Sequence, residues 1–201
     1  MFEQLTVCDQ FDFAHDYSPK LICYTFRMSV LILNGPTGTG KNTIAEILSK
    51  KRGRCVVIDV DLLRLMVKNP HKAPWQDEEG KHQQLLGVSN ACLLTKEFIK
   101  NGFSVIILDV LSDETAKFYK DNLNEFEPKL VLLLPTWEEI VRRNKTRERR
   151  LTDEELKMVY QQQTELKTYD KKIDNTKLSA EEVAEKLVEY MNDEGTEHNG
   201  S

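Results

Sequence analysis

The sequence predicts an α/β fold, a three-layer sandwich whose central parallel sheet has about five strands. Short apolar runs alternate with helix-period patterns along most of the chain, as in repeated strand–helix–strand units. The runs are continuous rather than alternating, as strands buried on both faces are. The first run, Ser29–Leu33, ends in Asn34-Gly35-Pro36-Thr37-Gly38-Thr39-Gly40-Lys41-Asn42-Thr43 and leads into helical positions Ile44, Ala45, Ile47 and Leu48. A strand, a glycine-rich turn, a lysine and a helix in that order read as a P-loop, which cradles phosphates.

Residues 1–28 carry aromatics (Phe2, Phe11, Phe13, Tyr17) among Asp9, Asp12 and Asp16, with no period before Leu21. They are expected to be an extension on a domain spanning 29–191. The first helix should end at Arg52-Gly53-Arg54, where Gly53 suits the C′ position. Cys55–Ile58 reads as the second strand, ending at Asp59-Val60-Asp61, with a short helix through Leu62–Met66. Residues 69–80 are polar and turn-rich, the mark of a binding loop, and His71 and Trp75 are expected to shape its ligand. A helix over Lys81–Lys100 should stop at Asn101-Gly102, and Phe103–Leu108 is the third strand, ending at Asp109. Helix 114–124 follows, then strand Leu130–Leu134, broken by Pro135.

Thr136 with Glu139, and Thr152 with Glu155, both have capping-box spacing. Between these helix starts lies a basic run, Arg142 to Arg150. Lys172–Asp174 is expected to be the last strand, and Ser179 to cap the final helix. The polar tail 192–201 is expected to be disordered.

The net charge of −5 gives no broad electrostatic case for nucleic-acid binding. The cysteines Cys8, Cys23, Cys55 and Cys92 form no CxxC pair and have no metal-ligand spacing. They read as reduced thiols, which points to the cytoplasm. No apolar run approaches the ~18–20 residues of a membrane helix. The first residues lack the basic and apolar regions of a secretory signal.

In open parallel sheets, ligands bind beyond the C-terminal ends of the strands. Gly35, Asp59, Asp61 and Asp109 all follow strand ends and therefore converge on one edge. Gly35, Pro36, Thr37, Gly38, Thr39, Gly40, Lys41, Asn42 and Thr43 are the expected nucleotide-binding residues, with Lys41 as the mobile charge on the β- and γ-phosphates. Asp61 is the expected general base toward an attacking hydroxyl, and Asp59 is a second carboxylate on the substrate side. Arg64, one helical turn on, can neutralise an anionic substrate or orient the acid. Otherwise Asp61 only caps the next helix. Asp109 sits where a carboxylate would hold Mg²⁺ or contact substrate. The basic run fits a lid that delivers cations to the transferring phosphoryl group. Arg143 and Arg147 share one face if the helix persists. One residue departs from the P-loop pattern: Asn42 stands where a Ser or Thr hydroxyl usually binds Mg²⁺. Its amide oxygen is a neutral substitute ligand.

The P-loop Gly35–Thr43, the Asp61-Leu62-Leu63-Arg64 box, strand-end Asp109 and Ile140-Val141-Arg142-Arg143-Asn144-Lys145-Thr146-Arg147 together resemble the small P-loop kinases of AAA type. The likeness is to the kinase domain of bacteriophage polynucleotide kinase and, in outline, to chloramphenicol phosphotransferase and zeta toxins. It covers about residues 29–190. The resemblance implies ATP, Mg²⁺ and transfer to a hydroxyl. It implies Asp61 as base, Arg64 on the acceptor side, Lys41 and Arg147 on the phosphates, Arg143 near the nucleotide, Asp109 near substrate, and Ile173–Ser179 near adenine. The expected activity is phosphoryl transfer to a small molecule, a nucleoside or nucleotide, or a nucleic-acid 5′ end, the last not by default. The competing expectation is a nucleotide-binding regulator with weak turnover because of Asn42.

Overall fold

Strand β1 (Val30–Asn34) is buried along its whole length. Its side chains divide with the period of two that a strand imposes: Val30 and Ile32 enter one core, Leu31 and Leu33 the other. A strand with two apolar faces needs a cover on each, and the rest of the chain supplies them. The structure, a computed structural model, describes residues 28–146 and 150–193. After β1 come α1 (Lys41–Lys51), β2 (Cys55–Asp59), α2 (Val60–Arg64), α3 (Glu78–Lys100), β3 (Ser104–Asp109) and α4 (Asp113–Asn122). A 3₁₀ turn at Asn124–Phe126 precedes β4 (Lys129–Leu133), α5 (Trp137–Lys145), α6 (Asp153–Glu165), β5 (Lys171–Ile173) and α7 (Ala180–Asp193).

The strands form one parallel five-stranded sheet in the order β2-β3-β1-β4-β5. This is the α/β sandwich the sequence predicts. Helices α3 and α4 cover one face through Val88, Ala91, Ala116 and Tyr119. Helices α1 and α7 cover the other through Ile44, Leu48, Val183 and Leu187. Each fully buried Val, Leu or Ile among them is worth about 1.5–3 kcal/mol over an exposed one. A smaller cluster of Leu132, Leu134 and Leu166 seats the end of α6 beside β4. No described helix is long and apolar enough to cross a membrane.

Local signals held at most helix ends and failed at one. Gly53 and Gly102 adopt φ of +72° and +80° just past α1 and α3. Thr152 with Glu155, and Ser179 with Glu182, form reciprocal capping bonds. Thr136 with Glu139 does not. Thr136 caps α5 without a side-chain bond, and Glu139 is drawn instead to Arg142 and Arg143. Two arginines outcompete one backbone N–H, because charge-assisted pairs are the stronger bonds. Helix α3 begins at Glu78, ahead of the expected Lys81, because Asp77 accepts from the Gly80 N–H at 3.0 Å. Strand β5 falls one residue earlier than expected. Helix α7 runs through Asp193, into the segment expected to be a tail. The rest of that tail and the expected N-terminal extension, apart from Met28, lie outside the described residues.

Register sets the site. Asn34 pairs with Asp109 across β1 and β3, and Asp59 faces Leu108. The P-loop and three carboxylates therefore leave the sheet at one edge.

Candidate active site

The loop after β1 is dictated by backbone. Gly35 has φ +149°, and a Cβ there would stand 2.3 Å from the Leu133 carbonyl oxygen. Only glycine fits so close to β4. Gly38 and Gly40 have φ +92° and +89°, the left-handed region that turns successive N–H groups inward. Gly40 starts α1 with no side-chain cap. The first-turn N–H groups of that helix are thus left for an anion. Thr39 Oγ1 donates to the Pro36 carbonyl at 3.1 Å and tightens the turn. Lys41 Nζ lies across the loop, donating to the carbonyls of Gly35 at 2.5 Å and Pro36 at 3.3 Å.

Arg143 reaches the same loop from α5. Its guanidinium donates to the carbonyls of Gly38 and Thr39, both at 3.5 Å, and to that of Asn175 at 2.9 Å. Glu139 aims it, accepting from Nε at 2.6 Å. Hydrogen bonds from Arg142 and Arg143 hold the Glu139 carboxyl at about 2. Asn175 closes the bracket: its Nδ2 donates to the Thr39 carbonyl at 2.8 Å, and its Oδ1 is buried without a partner among the described residues. Arg142 is turned to Glu139. Arg147, expected on the phosphates, lies outside the described residues. The described part of the basic run is a helix, α5, and an arginine-rich lid is not shown among the described residues.

Asp59 and Asp61 divide the work at the end of β2. Asp59 is the N-cap of α2, accepting from the Asp61 N–H at 3.0 Å, and its second oxygen accepts from Asn42 Nδ2 at 3.1 Å. The capping alternative for Asp61 is therefore taken by Asp59. The Asp61 carboxylate stays 69% exposed and is paired with Arg64 Nη1 at 3.2 Å. The Arg64 side chain is 12% exposed. Its Nη2 donates to the Lys72 carbonyl at 3.1 Å, and its Nε is buried without a partner among the described residues. Gly87 makes room for it: a Cβ at Gly87 would come within 2.8 Å of Arg64 Cγ.

Asp109 is nearly enclosed, at 9% exposure. It accepts from Tyr119 Oη at 3.0 Å and from the Val110 N–H at 2.7 Å. Burial raises its carboxyl to about 6 against those two hydrogen bonds, and the charge of Asp61 adds to the rise.

Two cavities meet at these acids. One, of about 430 Å³, is lined by Thr37–Thr43, Asp59 and Arg143. The other, of about 390 Å³, is lined by Arg64, Pro74, Trp75, Gln84, Met158 and Gln162, among others. Thr37, Asp61, Asp109 and Val110 line both. Of the expected substrate-side residues, Asp59 faces only the first cavity, while Arg64 lines only the second. Trp75 lines the second cavity and His71 lines neither.

The loop that carries Trp75 is fixed by residues the sequence did not single out. Gln83 is 2% exposed; it donates to the Pro70 carbonyl at 2.7 Å and accepts from the Lys72 N–H at 3.0 Å. A Cβ at Gly80 would lie 1.9 Å from the Ala73 carbonyl oxygen. Gly87 inside the expected helix, and Gly80 at the end of the expected loop, are the sequence signal.

The donor set suits a hard cation. Asn42, Asp59 and Asp109 offer only oxygen and amide groups at the mouth of the P-loop. Mg²⁺ is bound by one or two such groups plus substrate phosphates. An ionised carboxylate accepts only from the NH₂ end of an amide, so the Asn42–Asp59 bond leaves Asn42 Oδ1 for a cation.

A family model described as an AAA domain matches residues 30–169. No curated protein matches the chain. Solved structures with the same fold include the tunicamycin resistance protein of Deinococcus radiodurans, 14% identical, with 82% of this chain and 96% of that one covered and a TM-score of 0.61. Shikimate kinase from Acinetobacter baumannii, in complex with shikimate, is 18% identical over 86% of this chain and 98% of that one, with a TM-score of 0.60. The YorR protein of Bacillus subtilis, in complex with phosphorylated GDP, is 17% identical over 85% of this chain and 100% of that one, with a TM-score of 0.55. At these identities the likeness is one of fold.

Proposed function

The chain belongs to the AAA-domain family, and from that premise we propose that it is an ATP-dependent phosphotransferase of the small P-loop kinase group. In this reading it moves the γ-phosphoryl group to a hydroxyl of a small molecule, a nucleoside or nucleotide, or a nucleic-acid 5′ end. The observation that carries this is the position of Asp61. Its exposed carboxylate lines both cavities, one walled by a phosphate-binding loop and one by side chains. The fold shared with shikimate kinases adds support. The closer resemblance, to the kinase domain of phage polynucleotide kinase, rests on the Asp61–Arg64 box and the run Ile140–Arg147.

Each group then has a task. The P-loop N–H groups and the start of α1 hold the β- and γ-phosphates. Lys41 leaves the Gly35 and Pro36 carbonyls for the γ-phosphoryl oxygens. Arg143, steered by Glu139 and Asn175, braces the loop beside the nucleotide. Asp61 accepts the proton of the acceptor hydroxyl as its oxygen attacks the γ-phosphorus. The bond to the β–γ bridging oxygen breaks, and ADP leaves with that electron pair. Arg64 orients Asp61. Asp59 positions Asn42, and Asn42 with Asp109 would hold Mg²⁺. When bound with ATP, Mg²⁺ supplies neutralisation of the phosphate charge. Arg147 is proposed as the lid cation.

Transfer of labelled γ-phosphate to a panel of sugars, nucleosides, antibiotics and 5′-hydroxyl oligonucleotides tests the reading. An acceptor labelled by the wild type and lost in Asp61→Asn is the expected result. Equal labelling by both proteins removes Asp61 from the role of base. Mg-ATP binding without transfer to any acceptor would mean a nucleotide-binding regulator instead.

A further inference from the structure

The second cavity has a chemical character of its own, and it bears on what the acceptor is. An anionic acceptor needs a cation whose charge is not already matched by a carboxylate. The cavity has two cationic side chains among its described lining, Arg64 and Lys81, and each is paired with one. Arg64 gives one donor to Asp61 and one to the Lys72 carbonyl, and its Nε is closed off from the surface. Lys81 is paired with Glu78 at 2.6 Å, and the charge of Glu114 also acts on it. Glu114 lines the same cavity as a further carboxylate, beside Asp61 and the metal-side acid Asp109.

A second observation points the same way. The cavity wall is apolar where it is not acidic. Trp75, 42% exposed, and Met158, 41% exposed, turn large apolar side chains toward it. Pro74, Leu151 and Val159 continue that surface. The neutral amides of Gln84 and Gln162 supply hydrogen bonds without charge. Beyond Met158 and Gln162, a further cavity of about 610 Å³ opens along α6. Its charged lining is Asp113, Glu154 and Glu165 against Lys157 alone. A chain of phosphates leaving Asp61 in that direction would run beside these acids.

We propose that the acceptor is an uncharged, partly apolar alcohol, with a ring or chain on Trp75 and Met158 and its hydroxyl at Asp61. Sugar phosphates, nucleotides and nucleic-acid ends are then poor acceptors. The inference rests on the phosphotransferase reading and narrows it. The transfer itself is unchanged: the alcohol O–H proton passes to Asp61, the new bond is O–P, and ADP is the leaving group.

Matched pairs of probes test it. Phenyl glucoside and its 6-phosphate, and uridine and its 3′-monophosphate, are titrated by calorimetry into the full chain with Mg²⁺ and a non-hydrolysable ATP analogue. The neutral member of each pair is expected to bind about 10-fold or more tightly than its phosphate, since like-charge juxtaposition at a closed site is costly. Glu114→Lys is expected to narrow that ratio at least about threefold. Trp75→Ala should weaken phenyl glucoside more than uridine 3′-monophosphate. Equal or tighter binding of the phosphate members overturns the inference. So does the absence of binding by all four probes while the ATP analogue binds. Failure of the phosphotransferase reading looks different: the ATP analogue does not bind, or Asp61→Asn transfers phosphate as well as the wild type.

Discussion

On the donor side of the site, the wall is mostly main chain. Gly35, Gly38 and Gly40 bend it, and carbonyls of Gly35 and Pro36 hold Lys41 in place. On the acceptor side the wall is side chains: Arg64 from α2, Trp75 from a loop, Gln84 from α3 and Met158 from α6. Apart from α5 and the ends of β2 and β3, the donor wall comes from one unbroken stretch, Thr37–Thr43. The acceptor wall is gathered from residues spread over about half the chain. Phosphate presents the same shape in every nucleotide, so a backbone cradle serves it. A particular alcohol must be matched by side chains, and these change without disturbing the cradle.

The sharpest way to break this contrast is in the cradle. Gly35→Ala places a methyl group against the Leu133 carbonyl, which backbone must move to relieve. Mg-ATP binding by calorimetry is expected to fall below detection, with the sheet retained by circular dichroism. Lys41→Ala leaves the loop standing but removes its cation. Transfer is expected to fall about 10²–10³-fold, the usual loss of a charge-stabilising donor, read by labelled phosphate transfer.

Changes on the acceptor side should leave nucleotide affinity alone. Gly87→Ala pushes Arg64 off its seat and with it the partner of Asp61. About a 10-fold loss of transfer is expected, with ATP affinity unchanged, because misplacing a reacting group by 1 Å costs up to ~10²-fold. Gln83→Ala unpins the loop under Trp75. Removing it takes the partner from the Pro70 carbonyl and the Lys72 N–H, both part-buried bonds, at about 1 kcal/mol each. Hydrogen exchange in residues 69–77 should accelerate, while the P-loop keeps its protection.

The smallest effect belongs to the acid between the two cavities. Asp109 has its carboxyl raised to about 6 from an ordinary 3.8. The folded state therefore holds its proton where the unfolded chain has lost it. Stability from this group is complete below about pH 4 and falls as pH rises toward 6. The loss is on the order of 2–3 kcal/mol at most. Metal-free Asp109→Asn should unfold in denaturant with a flatter pH dependence than wild type between pH 4 and 6.

The sequence was most legible where function is written in contiguous residues. The strand, turn and helix from Ser29 to Leu48 needed no tertiary information, because the glycines and the apolar run specify them locally. The five strands were legible for the same reason. Asp61 and Arg64 could be paired by helical spacing, yet not told apart from a capped helix, since Asp59 and Asp61 are both acids beside the same N-terminus. Tertiary contact decided it: Asn42 and the Asp61 N–H occupy Asp59. The Asn175 brace lies 136 residues from its partner Thr39 and has no local signal. Glu139 carried a local signal that misled, because the capping box it suggested lost to two arginines. Gln83, Gly80 and Gly87 sit in an ordinary amphipathic helix, and only the loop folded over them shows why they are there.

The role proposed for Asp61 is to take the acceptor proton at the seam of the two cavities. The direct measurement is phosphoryl transfer by wild type and Asp61→Asn, with Mg-ATP affinity determined on the same samples. A general base contributes about 10²–10⁴-fold. Transfer is expected to fall in that range, with ATP affinity within about threefold of wild type. Transfer by Asp61→Asn at the wild-type rate would contradict it.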